Sequence, residues 1–190
     1  ITESAMGDGT LIFPAVTKTG IQVMTTNMIL DSDDTPVIWR GPMVANILKQ
    51  FYTDVYWDDV DYMFVDMPPG TSDVPLTAFQ SLPLDGIVVV TSPQELVSMV
   101  VEKAINMASK MNIRVLGLIE NMSYVRCPGC GEIIKVFGES HICETAEKYG
   151  LPVLAQIPLN PAIASAADAG TIEDLKIEEI AGACDSVENL

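Results

Sequence analysis

Two stretches of this chain hold residue types whose spacing can do chemistry. The first is Cys127-Pro-Gly-Cys130-Gly131, in which a tight turn points two sulfurs the same way, so that both thiolates can bind one metal. A complete tetrahedral zinc or iron–sulfur site takes four ligands, so the pair amounts to half a site. The remaining ligands come from Cys143 and Cys184 in the same chain, neither of which stands in a comparable turn, or from the same pair on a second copy. The second arrangement is preferred, because a two-fold axis brings identical patches together. A zinc-stapled hairpin or a free dithiol is the plainer alternative, and a permanent disulfide suits a reducing compartment least.

The second stretch is Asp61 to Asp73. Tyr62 to Val65 is an unbroken apolar run, the pattern of a central parallel strand covered on both faces, and Asp66 closes it. In open α/β sheets ligands sit at the carboxyl ends of strands, so an acid there can hold Mg²⁺ through a water. Pro68 and Pro69 cannot continue a ladder, and Gly70 lets the backbone approach a phosphate closely. Without a ligand, the same residues would read as a strand ending in a turn with a solvated Asp.

Asn121 follows a further apolar strand, Val115 to Ile119, and falls on the same sheet edge as Asp66. Its amide has the donor and the acceptor that reading an adenine edge requires, although a turn-forming Asn fits the position too. His141 is the only histidine, and no nucleophile motif accompanies it, so it is assigned to a helix N-terminus rather than to catalysis. Arg40, just before a helix, suits either a phosphate or carboxylate across a subunit boundary or a surface ion pair. Asp31 to Asp34 is an acidic turn without the Gly and Glu of a calcium loop.

The elements that must position these groups alternate. Short strands are expected near Leu11 to Phe13 and Ile21 to Met24, then a helix with Pro42 in its first turn and a stripe of Val44, Ile47, Leu48 and Phe51. After the Asp66 loop come a short helix over Val74 to Ser81 and a strand over Gly86 to Val90. A long helix follows, introduced by a capping box of Ser92 and Glu95, with Met99, Met107 and Met111 as core filler. Residues 124–137 break the rhythm as an inserted hairpin with a strand-like Ile133 to Phe137. Then come a helix from Ser140 to Tyr149 ended by Gly150, a strand over Val153 to Ile157, and a helix capped by Asn160 with Pro161 first. The pattern predicts one doubly wound α/β domain over residues 1–190, its mostly parallel sheet flanked by helices.

Composition agrees. The 190 residues are 48% apolar, enough for a sizeable core, and no apolar run reaches the length of a membrane span. The net charge of −16 opposes nucleic acid and anionic membranes as partners, and a cytoplasmic location is expected. Ile1 is not an initiator Met and reads as the middle of a domain, so the chain is expected to be a piece of a longer protein.

Taken together, Ile38-Trp-Arg-Gly-Pro-Met43, Val65-Asp-Met-Pro-Pro-Gly-Thr71, Glu120-Asn-Met-Ser-Tyr124, Cys127-Pro-Gly-Cys-Gly131, Phe137-Gly138 and Ile157-Pro-Leu159 resemble the Mrp (ApbC) family of P-loop ATPases. These are iron–sulfur cluster carriers related to the septum-site and partition ATPases. The resemblance implies a P-loop NTPase fold and a switch segment at Asp66 to Gly70 beside Mg²⁺ and the γ-phosphate of ATP. It also implies adenine recognition by Asn121 with the backbone of Pro158 to Asn160. Cys127 and Cys130 would each supply part of the ligand set of a [4Fe-4S] cluster shared across a homodimer and passed to apoproteins, with zinc as the other metal the pair could hold as purified. The family's Gly-rich phosphate loop with its Lys-Ser does not occur in this sequence, so the fold is expected to be N-terminally incomplete and this stretch alone inactive, with ATP hydrolysis belonging to the intact protein. Two other functions fit fewer of the residues: a metal-binding or dimerising module without turnover, and a partition-type ATPase.

Overall fold

The computed structural model describes residues 6–7, 11–29 and 41–190. The Asp31 to Asp34 turn, Arg40 and the motif residues just before it lie outside the described residues, as do the side chains of Glu95 to Ser98. The chain divides into two compact units, Ile1–Leu82 and Pro83–Leu190.

The first unit is made of short pieces. β1 (Met6–Gly7) pairs antiparallel with β2 (Ile12–Phe13), and β3 (Ala15–Val16) with β4 (Gln22–Val23). Gly20, at φ 90°, closes the β3–β4 turn by donating to the Thr17 carbonyl. A 3₁₀ turn over Thr26–Ile29 follows. α1 (Gly41–Thr53) buries part of its Val44, Ile47, Leu48 and Phe51 stripe and packs against α2 (Asp73–Ser81). Beyond α1, the Trp57 indole donates to the Phe51 carbonyl at 2.9 Å, and the Gln22 side chain bonds the backbone of Asp58.

The expected central strand is absent here. Tyr62 to Val65 belongs to no ladder, and Tyr62, Met63 and Phe64 are 53, 41 and 77% exposed. A strand is held by its neighbours' backbone, not by its own side chains, and among the described residues no segment pairs with this run.

The second unit holds the parallel sheet. β5 (Ile87–Thr91), β6 (Val115–Glu120) and β9 (Val153–Gln156) run parallel in the order β5-β6-β9. α3 (Glu95–Lys110) links the first two strands. Between β6 and β9 come the hairpin of β7 (Val125–Arg126) with β8 (Ile133–Ile134) and then α4 (Ile142–Tyr149). α5 (Pro161–Asp168), 3₁₀ turns at Ile172–Asp174 and Glu178–Ile180, and α6 (Ala181–Glu188) complete the chain.

Successive residues of β6 point to opposite faces, and each face meets helices. Leu118, fully buried, packs with Val89, Val101 and Ile105, and with Ile142 and Ala146 of α4. Ile119 packs on the other side with Ala155 and with Ala183 of α6. Burial of each large aliphatic side chain contributes about 1.5–3 kcal/mol, so these two clusters supply much of the driving force for this unit. Helices on both faces of a parallel sheet make this the doubly wound α/β arrangement that the alternation of elements predicts.

Local signals place the boundaries. The β-branched run of β5 favours a strand, Gly150 ends α4 in the left-handed region at φ 64°, and the Asn160 side chain accepts from Ala162 N–H at 3.0 Å with Pro161 next. Three further expectations fail. α3 starts at Glu95, with extended Gln94 rather than Ser92 as its cap. β8 is shorter than Ile133 to Phe137, because Lys135 to Gly138 form a turn. Met99 is 56% exposed on the outer side of α3, where no core surrounds it.

Candidate functional site

The carboxyl edge of the sheet is formed by Thr91, Glu120 and Gln156, and the chain beyond each strand stays paired with its neighbour. Asn121 N–H donates to the Thr91 carbonyl at 2.8 Å, Ile157 N–H to Glu120 at 2.8 Å, Ser123 N–H to Ile157 at 2.9 Å, and Leu159 N–H to Tyr124 at 2.8 Å. Asn121 and the Pro158 to Asn160 segment therefore follow adjacent strands along one edge. The Asn121 side-chain oxygen accepts from Met122 N–H at 2.9 Å, and Met122 takes a left-handed φ of 55°. Asn160 is committed through its own side-chain oxygen to capping α5.

The thiol hairpin leaves this edge through β7 and returns through β8. Its tip is closed by Gly131 N–H donating to the Cys127 carbonyl and Cys127 N–H donating to the Glu132 carbonyl, both at 2.8 Å. Gly131 sits at φ 77°, which a side chain would resist. The backbone N–H groups of Cys130 and Gly129 and the Cys130 thiol all point at the Cys127 sulfur, and together they hold its thiol below the ordinary cysteine range. The turn thus brings Cys127 and Cys130 together and favours the thiolate that metal binding needs. Cys143 and Cys184 are exposed on α4 and α6, and among the described residues no group of three or more Cys, His, Asp or Glu could hold a metal. Ile133, Ile134 and Val136 beside the tip are 51, 48 and 55% exposed.

Asp66 and Gly70 belong to the first unit. Asp66 is exposed in an irregular segment, and Gly70 takes a φ of 89° with nothing within 4 Å of where its Cβ would stand. His141 precedes α4 and pairs with Glu144 at 3.2 Å, a contact on the surface of that helix.

One polar group carries more structure than the pattern suggests. Glu120 is 1% exposed, and its carboxylate accepts from Ser123, from Ser140 at 2.6 Å and from the Gln156 amide at 3.1 Å. Glu120 closes an apolar strand much as Asp66 closes the run Tyr62 to Val65, yet one acid is buried and the other exposed, so the pattern alone does not mark such an anchor.

The comparisons with known proteins meet these features directly. A family model described as ParA, NUBPL iron-transfer P-loop NTPase, matches residues 2–188. The chain belongs to this family. It is 43% identical over 165 residues to an iron–sulfur cluster carrier protein of Clostridium perfringens, covering 87% of this chain and 58% of that protein. It is 44% identical over 160 residues to a protein of the same description from Methanocaldococcus jannaschii, covering 84% and 55%. The chain thus spans a little over half the length of these curated relatives. Among solved structures, an Archaeoglobus fulgidus nucleotide-binding protein in complex with ADP superposes with a TM-score of 0.77 at 36% identity, covering 91% of this chain and 67% of that one. The cell division ATPase MinD of Pyrococcus furiosus, at 19% identity and a TM-score of 0.52, shares the fold. Membership of the Mrp (ApbC) type of iron-transfer P-loop NTPase, expected from the motifs, is established by these matches, as is the P-loop NTPase fold. Among the described residues no helix is long and apolar enough to cross a membrane.

Proposed function

We propose that this chain works, within its full-length protein, as the cluster-bearing part of an ATP-dependent iron–sulfur carrier that acts in the cytoplasm as a homodimer. The cargo is a [4Fe-4S] cluster bound by Cys127 and Cys130 of two copies and passed to apoproteins. ATP with Mg²⁺ binds and is hydrolysed in a single nucleotide-binding domain, with Asn121 and the Pro158 to Asn160 segment at the adenine and Asp66 and Gly70 near the metal and γ-phosphate.

The observation that carries this reading is the lone pair of thiols at an exposed hairpin tip. Two sulfurs leave half of a four-ligand set unfilled, and among the described residues no further acid, histidine or cysteine joins them. A second copy related by a two-fold axis supplies the same pair, and the exposed Ile133, Ile134 and Val136 give that contact apolar surface to bury. The ADP held by the Archaeoglobus fulgidus neighbour and the carrier names of the bacterial and archaeal relatives support nucleotide binding and the cargo.

Anaerobic reconstitution of the full-length protein with iron and sulfide, read by visible spectrum, metal content and mass together, tests it. The expected result is about four irons per dimer, lost in Cys127→Ser and Cys130→Ser while ADP affinity persists. Zinc alone, or a monomer without iron, would remove the carrier function and leave a structural hairpin.

A further inference from the structure

We infer that Glu120 is a positioning residue for the thiol hairpin, one buried carboxylate clamping both of its legs to the carboxyl edge of the sheet; this rests on the carrier reading. Ser123, in the leg that enters the hairpin, and Ser140, in the leg that leaves it, bond different oxygens of the same carboxylate. Gln156 of β9 ties that carboxylate and the Ser123 hydroxyl to the neighbouring strand at 3.1 and 3.3 Å. Ser140 in turn accepts from Ile142 N–H at 3.3 Å, so the first turn of α4 joins the same junction.

The knuckle itself is organised locally. Its sulfur–amide contacts and its closing backbone bonds lie within residues 127–132 and do not involve Glu120. The carboxylate therefore governs how the knuckle is held relative to the sheet, and not how the two sulfurs are held relative to each other. That distinction matters when a metal takes ligands from two copies. A hairpin that swings on its legs lowers the effective concentration of one pair for the other, even when each pair is intact.

The test uses the full-length protein with Glu120→Gln, Ser140→Ala and, if it folds, Glu120→Ala. An amide at position 120 keeps one acceptor and turns its N–H₂ toward a serine hydroxyl that must then accept instead of donate, so Glu120→Gln should loosen one leg without opening a cavity, and Ser140→Ala removes the bond to the leaving leg outright. Three readouts separate positioning from bulk stability. Amide exchange of Ser123 and Leu159, whose bonds tie the entering leg to the sheet edge, should quicken at least tenfold, while that of Cys127 and Gly131 inside the knuckle, of β5 and of the centre of β6 stays at the parent rate. Affinity for Co²⁺, followed by its thiolate charge-transfer band, should fall about tenfold. The pH profile of Cys127 alkylation should not move.

Parent-like exchange at Ser123 and Leu159 in Glu120→Gln and Ser140→Ala would overturn the inference. So would equal loss of protection across β5 and β6, which would make Glu120 a general core group. The exchange arm needs no metal, so a parent protein that binds neither iron nor Co²⁺ would withdraw the carrier reading while the clamp itself is still decided.

Discussion

The side-chain oxygen of Asn121 accepts the N–H of Met122 at 2.9 Å, which commits the acceptor half of the amide to the turn at the end of β6. If this residue meets adenine, its Nδ2 donors do the reading. Asn121→Asp keeps the acceptor and the turn but removes the donors, whereas Asn121→Ala removes both. Leaving a polar partner unmatched costs about 1–3 kcal/mol, so both variants should bind ADP roughly 5- to 150-fold more weakly by calorimetry. Only the alanine variant should also lose thermal stability, because Met122 holds a left-handed φ of 55° that the bond supports. Parent-like ADP binding by Asn121→Asp would take base recognition away from this residue.

The Cys127 thiol lies below its ordinary range because the N–H groups of Cys130 and Gly129 and the Cys130 thiol point at its sulfur. Iodoacetamide should therefore modify Cys127 at a lower pH than it does a cysteine in an unstructured peptide, with mass spectrometry locating the adduct. The linkage has a definite sign. A thiol with a depressed folded value stabilises the folded hairpin fully above the unfolded value, and that contribution is lost as pH falls through the folded one. Metal uptake should follow the same curve, weakening as the pair is protonated. A Cys127 profile matching the free peptide would mean that the knuckle is not formed in solution.

How far the sequence reaches differs between the two units, and the reason is physical. In Pro83–Leu190 the strands at Ile87, Val115 and Val153 find their partners within the same stretch of chain, so apolar runs, Gly150 and Asn160 mark elements and boundaries well. Tyr62 to Val65 has the same apolar pattern, yet forms no ladder among the described residues. Composition reports a demand for burial and is silent on whether a neighbouring backbone is present. The thiol knuckle was legible because its contacts lie within residues 127–132. Glu120 was less so: its partners Ser140 and Gln156 lie 20 and 36 residues away, and only the fold brings them to one carboxylate.

Close packing between β6 and β9 gives a prediction on stability. A Cβ on Gly117 would stand 2.6 Å from Leu154 Cγ and 2.7 Å from the Pro152 carbonyl oxygen, which accepts Leu118 N–H at 3.0 Å. The leucine can turn away, but the carbonyl cannot without breaking the ladder. Gly117→Ala should therefore destabilise by about 1–3 kcal/mol or more, comparable with an overpacked core. Leu118→Ala, which empties a fully buried position, should cost about 2–5 kcal/mol. Denaturant titration checks both. A neutral Gly117→Ala would mean that β6 and β9 are further apart than their register implies.

Asp66 offers a clean separation of chemistry from folding. It is exposed and belongs to no ladder or helix, so Asp66→Ala should change stability by no more than about 0.5 kcal/mol. If it holds Mg²⁺ through a water in the full-length protein, the same change should slow ATP hydrolysis at least about tenfold, as the loss of an outer-sphere partner does. ADP affinity should change much less. Gly70→Ala makes the complementary case: the space around it is open, so only the φ of 89° resists a side chain, at about 1–2 kcal/mol locally. It should slow hydrolysis by disturbing the loop's backbone while leaving Asp66 in place. Full turnover in Asp66→Ala, measured with a stability curve matching the parent, would remove this loop from the reaction, and the metal would need another acidic partner.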